Sequence, residues 1–385
     1  MYTESGEESQ VKNEQKEKRR KIKPKKEGKR GLPQFEPGKM IEADFATFRN
    51  IKLLGQGGFG AVYLVEEVIS KTRYALKTEL GVKEGERRIP CLPWEETILL
   101  KIQEFPDENK KKHFIKIVDR TKGPDYNVLI MTLVGKSLND LKKISPLGDK
   151  LSANTCWRIA VQTLEALECF HEAGFVHKDI KPHNYTKGVN TQDNVIFLLD
   201  FGLARCYTGI KYKDAIKDSN RFAGTFRYCP RAAHAQVYQF PKDDLESWIF
   251  SYFELMDPES LIWKRIENKE KMFKKKCQFL TGHEGNNIYE YIPVEYKSIL
   301  RAVGDLTPEL VEQDIKNYRK VPYEMFYNML NDVAKACNFS HSEPMDWENP
   351  KFYRKFPHEM PENMKKSKIF SRHRKSSANR KTINY

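Results

Sequence analysis

The chain has 385 residues, of which 39% are hydrophobic and 12% aromatic, so a disordered or fibrous class is excluded for its bulk. Its apolar runs are broken after a handful of residues, by Thr132 or Asp200 for instance, far short of the roughly 20 that a membrane-spanning helix needs. The formal net charge is +14, yet residues 1–30 hold +5 of it and residues 363–385 hold +8, which puts the positive field in two flanking tails rather than in the body.

In chain order, residues 1–43 read as a basic, disordered tail, too poor in apolar side chains to repay the entropy of folding. Its first 40 residues offer no apolar core of a signal peptide. Patterned sequence begins near Phe45. Runs rich in β-branched and aromatic residues predict strands at Asn50–Leu54, Ala61–Val68, Arg73–Thr78, Phe114–Arg120 and Val128–Leu133. Between the third and fourth, Trp94, Ile98, Leu99 and Ile102 recur at helical spacing. After Gly135 the pattern turns helical. Ser152 is placed to cap a long helix that Gly174 ends, and further helices are expected at 243–256 and 307–338. Residues 339–385 read as a second basic tail. A small β-rich half thus precedes a larger helical one, joined by Leu133–Lys136, and a ligand cleft is expected between them. Seven scattered cysteines with no CxxC pair predict reduced thiols, and hence a soluble protein of the cytoplasm, the nucleus or both.

The residues that carry chemistry come in a fixed order. Gly55-Gln56-Gly57-Gly58-Phe59-Gly60-Ala61-Val62 is a GxGxxGxV loop between two strands, where glycines let the backbone close over phosphates with its amides facing the anion. A dinucleotide-binding loop would need a helix directly after it, and Val62–Val65 reads as strand. Lys77 ends the next strand. Glu95 lies on the inner face of the helix that follows and is taken as the partner of Lys77, with Glu96 as its rival. His177-Lys178-Asp179-Ile180-Lys181-Pro182-His183-Asn184 precedes Asp200-Phe201-Gly202. Asp179 can accept a hydroxyl proton and orient the nucleophile, and Lys181 can neutralise a migrating phosphoryl group. Asn184 and Asp200 offer hard oxygen ligands suited to Mg²⁺ on ATP. Any one of these is as easily a structural polar residue; the ordered set is not.

That set resembles the eukaryotic protein kinase superfamily over roughly residues 48–338. Tyr126–Leu138 is similar to the hinge of the casein kinase I group, and Gly224–Tyr228 and Lys242–Ser247 resemble its GTxRY and DDLES blocks. The continuation Cys229-Pro230-Arg231, with Trp248 after the second block, is similar to the tau-tubulin-kinase-like branch. The resemblance implies an α+β, two-lobed protein kinase fold. A small antiparallel β-sheet N-lobe (44–132) with one main helix would be joined by a hinge (132–136) to a larger, mostly helical C-lobe (137–338). It implies ATP and Mg²⁺ as cofactors, with Leu54, Val62 and Ala75 above the adenine and Met131 behind it. Backbone groups of Thr132 and Val134 would bind the adenine edge, and Asp244 would hold the loop around Asp179 from below. Serine/threonine specificity is likewise inherited from the resemblance.

Three departures stand out. Lys178 replaces the arginine that the superfamily uses to grip a phosphorylated activation segment, keeping charge but losing the bidentate fork. Ile249 replaces a small glycine, and the stretch from Lys77 to Glu95 is longer than the group's usual spacing. For substrates, Lys211, Lys213, Lys217, Arg221, Arg227 and Arg231 stand against only Asp214 and Asp218, which favours acidic or pre-phosphorylated protein sites, with Arg221 and Arg227 as candidate contacts. A monomer is expected. The rival readings are a catalytically dead scaffold, against which Lys77, Asp179 and Asp200 are all present, and a binder of acidic polymers such as tubulin tails through the basic ends.

Overall fold

Alternating inward and outward side chains between 40 and 132 build one antiparallel sheet of six strands. Its strands are β1 (Met40–Glu42), β2 (Thr47–Gly57), β3 (Gly60–Glu67), β4 (Arg73–Leu80), β5 (Ile117–Lys122) and β6 (Tyr126–Thr132), in the order β1-β2-β3-β4-β6-β5. The computed structural model describes residues 31–32, 34–57, 60–82, 90–208, 222–281, 288–306 and 321–365.

The two faces of this sheet have separate fates. Ala61, Tyr63, Val65, Leu76, Val128 and Ile130 point outward, where Phe35, Ile41 and Phe48 cover them. The Phe35 ring packs tilted on Tyr63 at 5.2 Å and edge-on to Tyr126 at 5.6 Å, so folded structure begins inside the expected tail 1–43. The other face, which includes Ala75, Leu129 and Met131, joins the main core of the molecule. Helix α1 (Leu92–Gln103) packs there through Leu92, Ile98, Leu99 and Ile102, the spacing seen in the sequence. A short α2 (Glu108–Lys111) precedes the core residues Phe114 and Ile115, which were expected in a strand; pairing starts only at Ile117.

The larger lobe is helical. It contains α3 (Leu138–Ile144), α4 (Ala153–Glu172), α5 (Arg231–Ala235), α6 (Pro241–Met256), α7 (Lys269–Leu280), α8 (Lys297–Asp305) and α9 (Tyr323–Ala336). Ser152 caps α4, its hydroxyl accepting the Thr155 amide at 3.3 Å. Every residue of α6 is buried, which marks it as the central element of the lobe. Ile249 is fully enclosed there. Two-stranded pieces β7 (Phe175–Val176) with β10 (Arg205–Cys206), and β8 (Tyr185–Lys187) with β9 (Ile196–Leu198), frame the loops between α4 and α5. Of the helix expected at 307–338, residues 323–336 form α9, and 307–320 lie outside the described residues.

The body does not stop at residue 338. Three single turns (Asp346–Glu348, Pro350–Tyr353, Pro357–Glu359) and α10 (Glu362–Lys365) continue it. Met345, Trp347, Phe352, Tyr353 and Met360 are buried in the core. Asp346 accepts the Ser152 amide at 2.7 Å and its hydroxyl at 2.6 Å, Trp347 donates to the Asp193 carbonyl at 3.0 Å, and Glu359 pairs with Lys136 at 2.5 Å. Apolar surface here outweighs the basic character that the sequence suggested for 339–385.

Candidate active site

Strand parity selects the residues that face the cleft. Lys77 and Ala75 of β4 lie on one face with their cross-strand partners Val62, Leu129 and Met131. Ala61, expected at the nucleotide, points to the opposite face and is buried in the outer cluster. The Lys77 ammonium lies 2.7 Å from both oxygens of Glu95 and 3.8 Å from Asp200. Burial works against that ammonium, but Glu95 and Asp200 outweigh it and hold the lysine above its ordinary value. Glu96, the rival partner, turns away to Arg120 and Lys122. Glu95 is held in register by a residue outside its own helix. Glu79 of β4 accepts the amides of Cys91 and Leu92, the open end of α1. On the other side of α1, Trp94 donates to the Ala204 carbonyl at 2.9 Å, just past Asp200-Phe201-Gly202.

The loop 177–184 hangs from α6. Asp244 accepts the amides of His177 at 2.6 Å and Lys178 at 2.9 Å, and its carboxylate also meets His171 at 3.0 Å. Burial alone would raise the Asp244 carboxyl; the bond from His171 outweighs it and keeps the group below its ordinary value. The His177 ring reaches the Leu199 carbonyl at 3.1 Å and packs against Phe201. Lys178 and Asp200 both adopt left-handed backbone, φ 69° and 67°, a conformation costly for a residue with a Cβ and concentrated at functional sites.

Asp179 is the focus of this arrangement. Its Oδ2 accepts from Lys181 and its Oδ1 accepts the Thr225 hydroxyl at 2.8 Å. Lys181 also donates to Thr225 Oγ1 at 3.1 Å. Asn184 donates through Nδ2 to the Asp179 carbonyl at 2.9 Å, which leaves its oxygen as the atom able to meet a cation. Asp200 is the more exposed of the two expected ligands and offers a second hard oxygen. This donor set fits a divalent metal on a nucleotide phosphate.

Between the lobes lies a cleft of about 640 Å³. Leu54, Gly55, Gln56, Gly57, Gly60, Val62, Ala75, Lys77, Glu95, Met131, Thr132, Val134, Asn184 and Asp200 all line it. Gly60 is irreplaceable on sterics, since a Cβ there would stand 2.2 Å from the Thr78 carbonyl oxygen. Gly58, Phe59 and Arg221 lie outside the described residues. Arg227 is drawn inward, donating to Glu254 at 3.0 Å and to the Lys264 carbonyl at 3.2 Å, and Arg231 forks onto Glu246 at 3.0 and 2.9 Å. Lining residues that sequence reasoning missed are Leu99, Ile115, Leu133, Gly135, His183, Thr186, Leu199 and Phe201. His183, Leu199 and Phe201 flank residues already singled out, so adjacency was the available signal.

A family comparison decides the identity: the protein kinase domain matches residues 48–317. The chain belongs to the protein kinase family. This kinase is 29% identical over 326 residues to the serine/threonine-protein kinase spe-6 of Caenorhabditis elegans, covering 83% of this chain and 80% of that protein. It is 30% identical over 301 residues to a C. elegans protein named "Putative casein kinase I", covering 77% and 82%. The structure of vaccinia related kinase 3 shares the fold, with a TM-score of 0.64 at 18% identity over 80% of this chain and 94% of that one. The kinase is a protein serine/threonine kinase, and the family uses ATP with a divalent metal.

Proposed function

We propose that this kinase transfers the γ-phosphoryl group of Mg-ATP to protein serine and threonine hydroxyls in the manner of the casein kinase I group, and that within it the chain resembles the tau-tubulin-kinase-like branch. One observation carries the chemical reading: the Asp179 carboxylate sits between the Lys181 ammonium and the Thr225 hydroxyl, 2.8 Å from the latter. Such a carboxylate can accept the acceptor proton and aim the oxygen in line with a phosphate. Lys77, fixed by Glu95, positions the α- and β-phosphates, and Lys181 neutralises charge as the phosphoryl group moves. Asn184 and Asp200 would hold the Mg²⁺, which supplies charge neutralisation on the phosphates. The cleft face made by Leu54, Val62, Ala75 and Met131 takes the adenine, and the backbone of Thr132 and Val134 reads its edge.

The preference for acidic or pre-phosphorylated sites rests on the group resemblance and on the part of Arg227 that Glu254 leaves exposed. The basic ends, residues 1–30 and 363–385, are proposed to dock acidic polymers such as tubulin tails or to direct nuclear entry, with binding that weakens steeply as salt rises. Transfer from Mg-ATP to casein, compared with Asp179→Asn, tests the central reading. Loss of transfer by about 10²-fold or more is expected of a removed general base, and undiminished transfer by the variant refutes it.

A further inference from the structure

Lys276 of α7 is a fully buried ammonium whose acceptors among the described residues are all neutral. Its three N–H donors meet the Phe226 carbonyl at 2.7 Å, the Cys229 carbonyl at 2.6 Å and His234 Nε2 at 3.2 Å. The Cys229 sulfur lies at 3.5 Å, and the rings of Trp263 and Phe250 lie within 5.6 Å and 5.4 Å. Burying a charge with no carboxylate in direct ion-pair contact among the described residues is costly, and a lysine serving only to fill space there would be better replaced by methionine or leucine.

What the ammonium grips is the turn 225–229. Both carbonyls it binds belong to this turn, and the Thr225 carbonyl accepts the amides of Tyr228 and Cys229 at 2.9 Å, making the turn one stiff piece. Trp263 fastens its middle through the Arg227 carbonyl at 2.8 Å. The other end of the same piece is the Thr225 hydroxyl on Asp179. Gly224, just before it, has φ +105° and stands so close to the Lys178 carbonyl that a Cβ would come within 2.8 Å of that oxygen. The turn is therefore pinned to the loop of Asp179 at one end and to α7 at the other.

We propose that Lys276 is a positioning residue for the protein acceptor: through the turn 225–229 it sets the surface beside Asp179 on which the acceptor segment lies, and so governs acceptor affinity without touching nucleotide. The inference rests on reading Asp179 as the carboxylate that meets the acceptor hydroxyl.

The chemistry of the site provides a readout that mere structural support would not move. Burial pulls the Lys276 ammonium down to about 8. The groups facing it are Cys229 of the turn, His234 of α5 and Glu246 of α6, while Lys269 of its own helix acts on His234. Burial pushes His234 down to about 4, with Lys276 and Lys269 adding to it, so its ring stays a neutral acceptor across the assay range. An amine donates one hydrogen bond fewer than an ammonium, so acceptor affinity weakens as pH rises through about 8.

Steady-state kinetics with Mg-ATP and an acidic serine peptide test the proposal. Lys276→Met is expected to raise KM for the peptide about tenfold, equivalent to one lost charged hydrogen bond, with KM for ATP unchanged. Lys276→Arg retains most of the affinity and loses the alkaline fall near pH 8 that wild type shows. Equal changes in both KM values, no change in either, or a wild-type peptide KM flat from pH 7 to about 9 overturns it. Should Lys276→Met fail to fold, His234→Phe removes only the third acceptor; a raised peptide KM with ATP unaffected supports the clamp, and an unchanged one sinks it. Asp179→Asn in the same assay separates the two readings: surviving transfer there refutes the role of Asp179 on which the inference rests, whereas lost transfer there beside an unchanged peptide KM in Lys276→Met refutes the role of Lys276 alone.

Discussion

The Glu79 carboxylate accepts the backbone amide of Leu92 at 3.0 Å, so a strand residue caps the helix that carries Glu95. The helix start has no capping side chain of its own, since Cys91 makes no such bond. Glu79 also receives the Cys91 amide at 2.9 Å and the Asn127 side chain at 3.2 Å. The strand that holds Lys77 thereby also sets the helix that holds its partner.

Glu79→Ala removes that cap and leaves two helix amides open. A loss of about 1–2 kcal/mol in stability is expected from the cap alone. Because Glu95 loses its anchor too, KM for ATP should rise and kcat fall together. Chemical denaturation beside ATP kinetics checks both; a destabilised variant with unaltered kinetics would detach the cap from the site.

Cutting the chain after residue 338 should destabilise the large lobe. The cut removes the buried Trp347, Phe352 and Tyr353 and the Asp346 carboxylate that receives Ser152 at the start of α4. Loss of one buried aromatic side chain costs about 3–5 kcal/mol, so the cut chain is expected to be insoluble or to melt far below the full chain. A cut after residue 365 leaves these contacts in place and should preserve the melting temperature. Thermal melts of the two truncations decide the matter.

Acid stability should depend on Glu165. Burial raises its carboxyl, but the hydrogen bonds from His113 and Lys112 outweigh this and bring it from 4.5 to about 2. A carboxyl held low in the folded chain contributes stability that is complete above 4.5 and drains away as pH falls toward 2, because the unfolded chain takes up the proton first. Urea midpoints measured across that interval should decline with falling pH in wild type and more gently in Glu165→Gln.

Activity should survive phosphatase treatment. Position 178 is lysine, whose amide is held by Asp244 at 2.9 Å, and a lysine cannot offer a phosphorylated activation segment the planar fork of arginine. Casein phosphorylation before and after dephosphorylation of the kinase measures this, and silence after treatment would show that the lysine serves a phosphate after all.

Much of the cleft was legible because its chemistry is local in sequence. Lys77, Asp179, Asn184 and Asp200 sit within short motifs, and the structure brings them around one cleft or its floor. Ala61 shows how a motif misleads. It falls inside the glycine loop, yet the period of two that places Val62 in the cleft sends Ala61 outward, a parity present in the sequence and left unapplied. Arg227 shows the opposite limit. Its charge was plain, but Glu254 is 27 residues away, and no local pattern reports that pairing. Averaging over 339–385 hides the end of the body, since the charge belongs to residues 363–385 while Met345, Trp347, Phe352 and Tyr353 lie before it.

The pairing of Glu359 with Lys136 has a consequence for whatever follows it. Lys136 adjoins Gly135 on the rim of the nucleotide cleft, so the described chain ends at Lys365, six residues past a contact with that rim. The last described turns thus leave the C-terminal end of the folded body beside the cleft rather than at a remote corner of the lobe. A contact that breaks the Glu359–Lys136 pair therefore acts on the rim of the nucleotide cleft directly, with no long path through the lobe to cross.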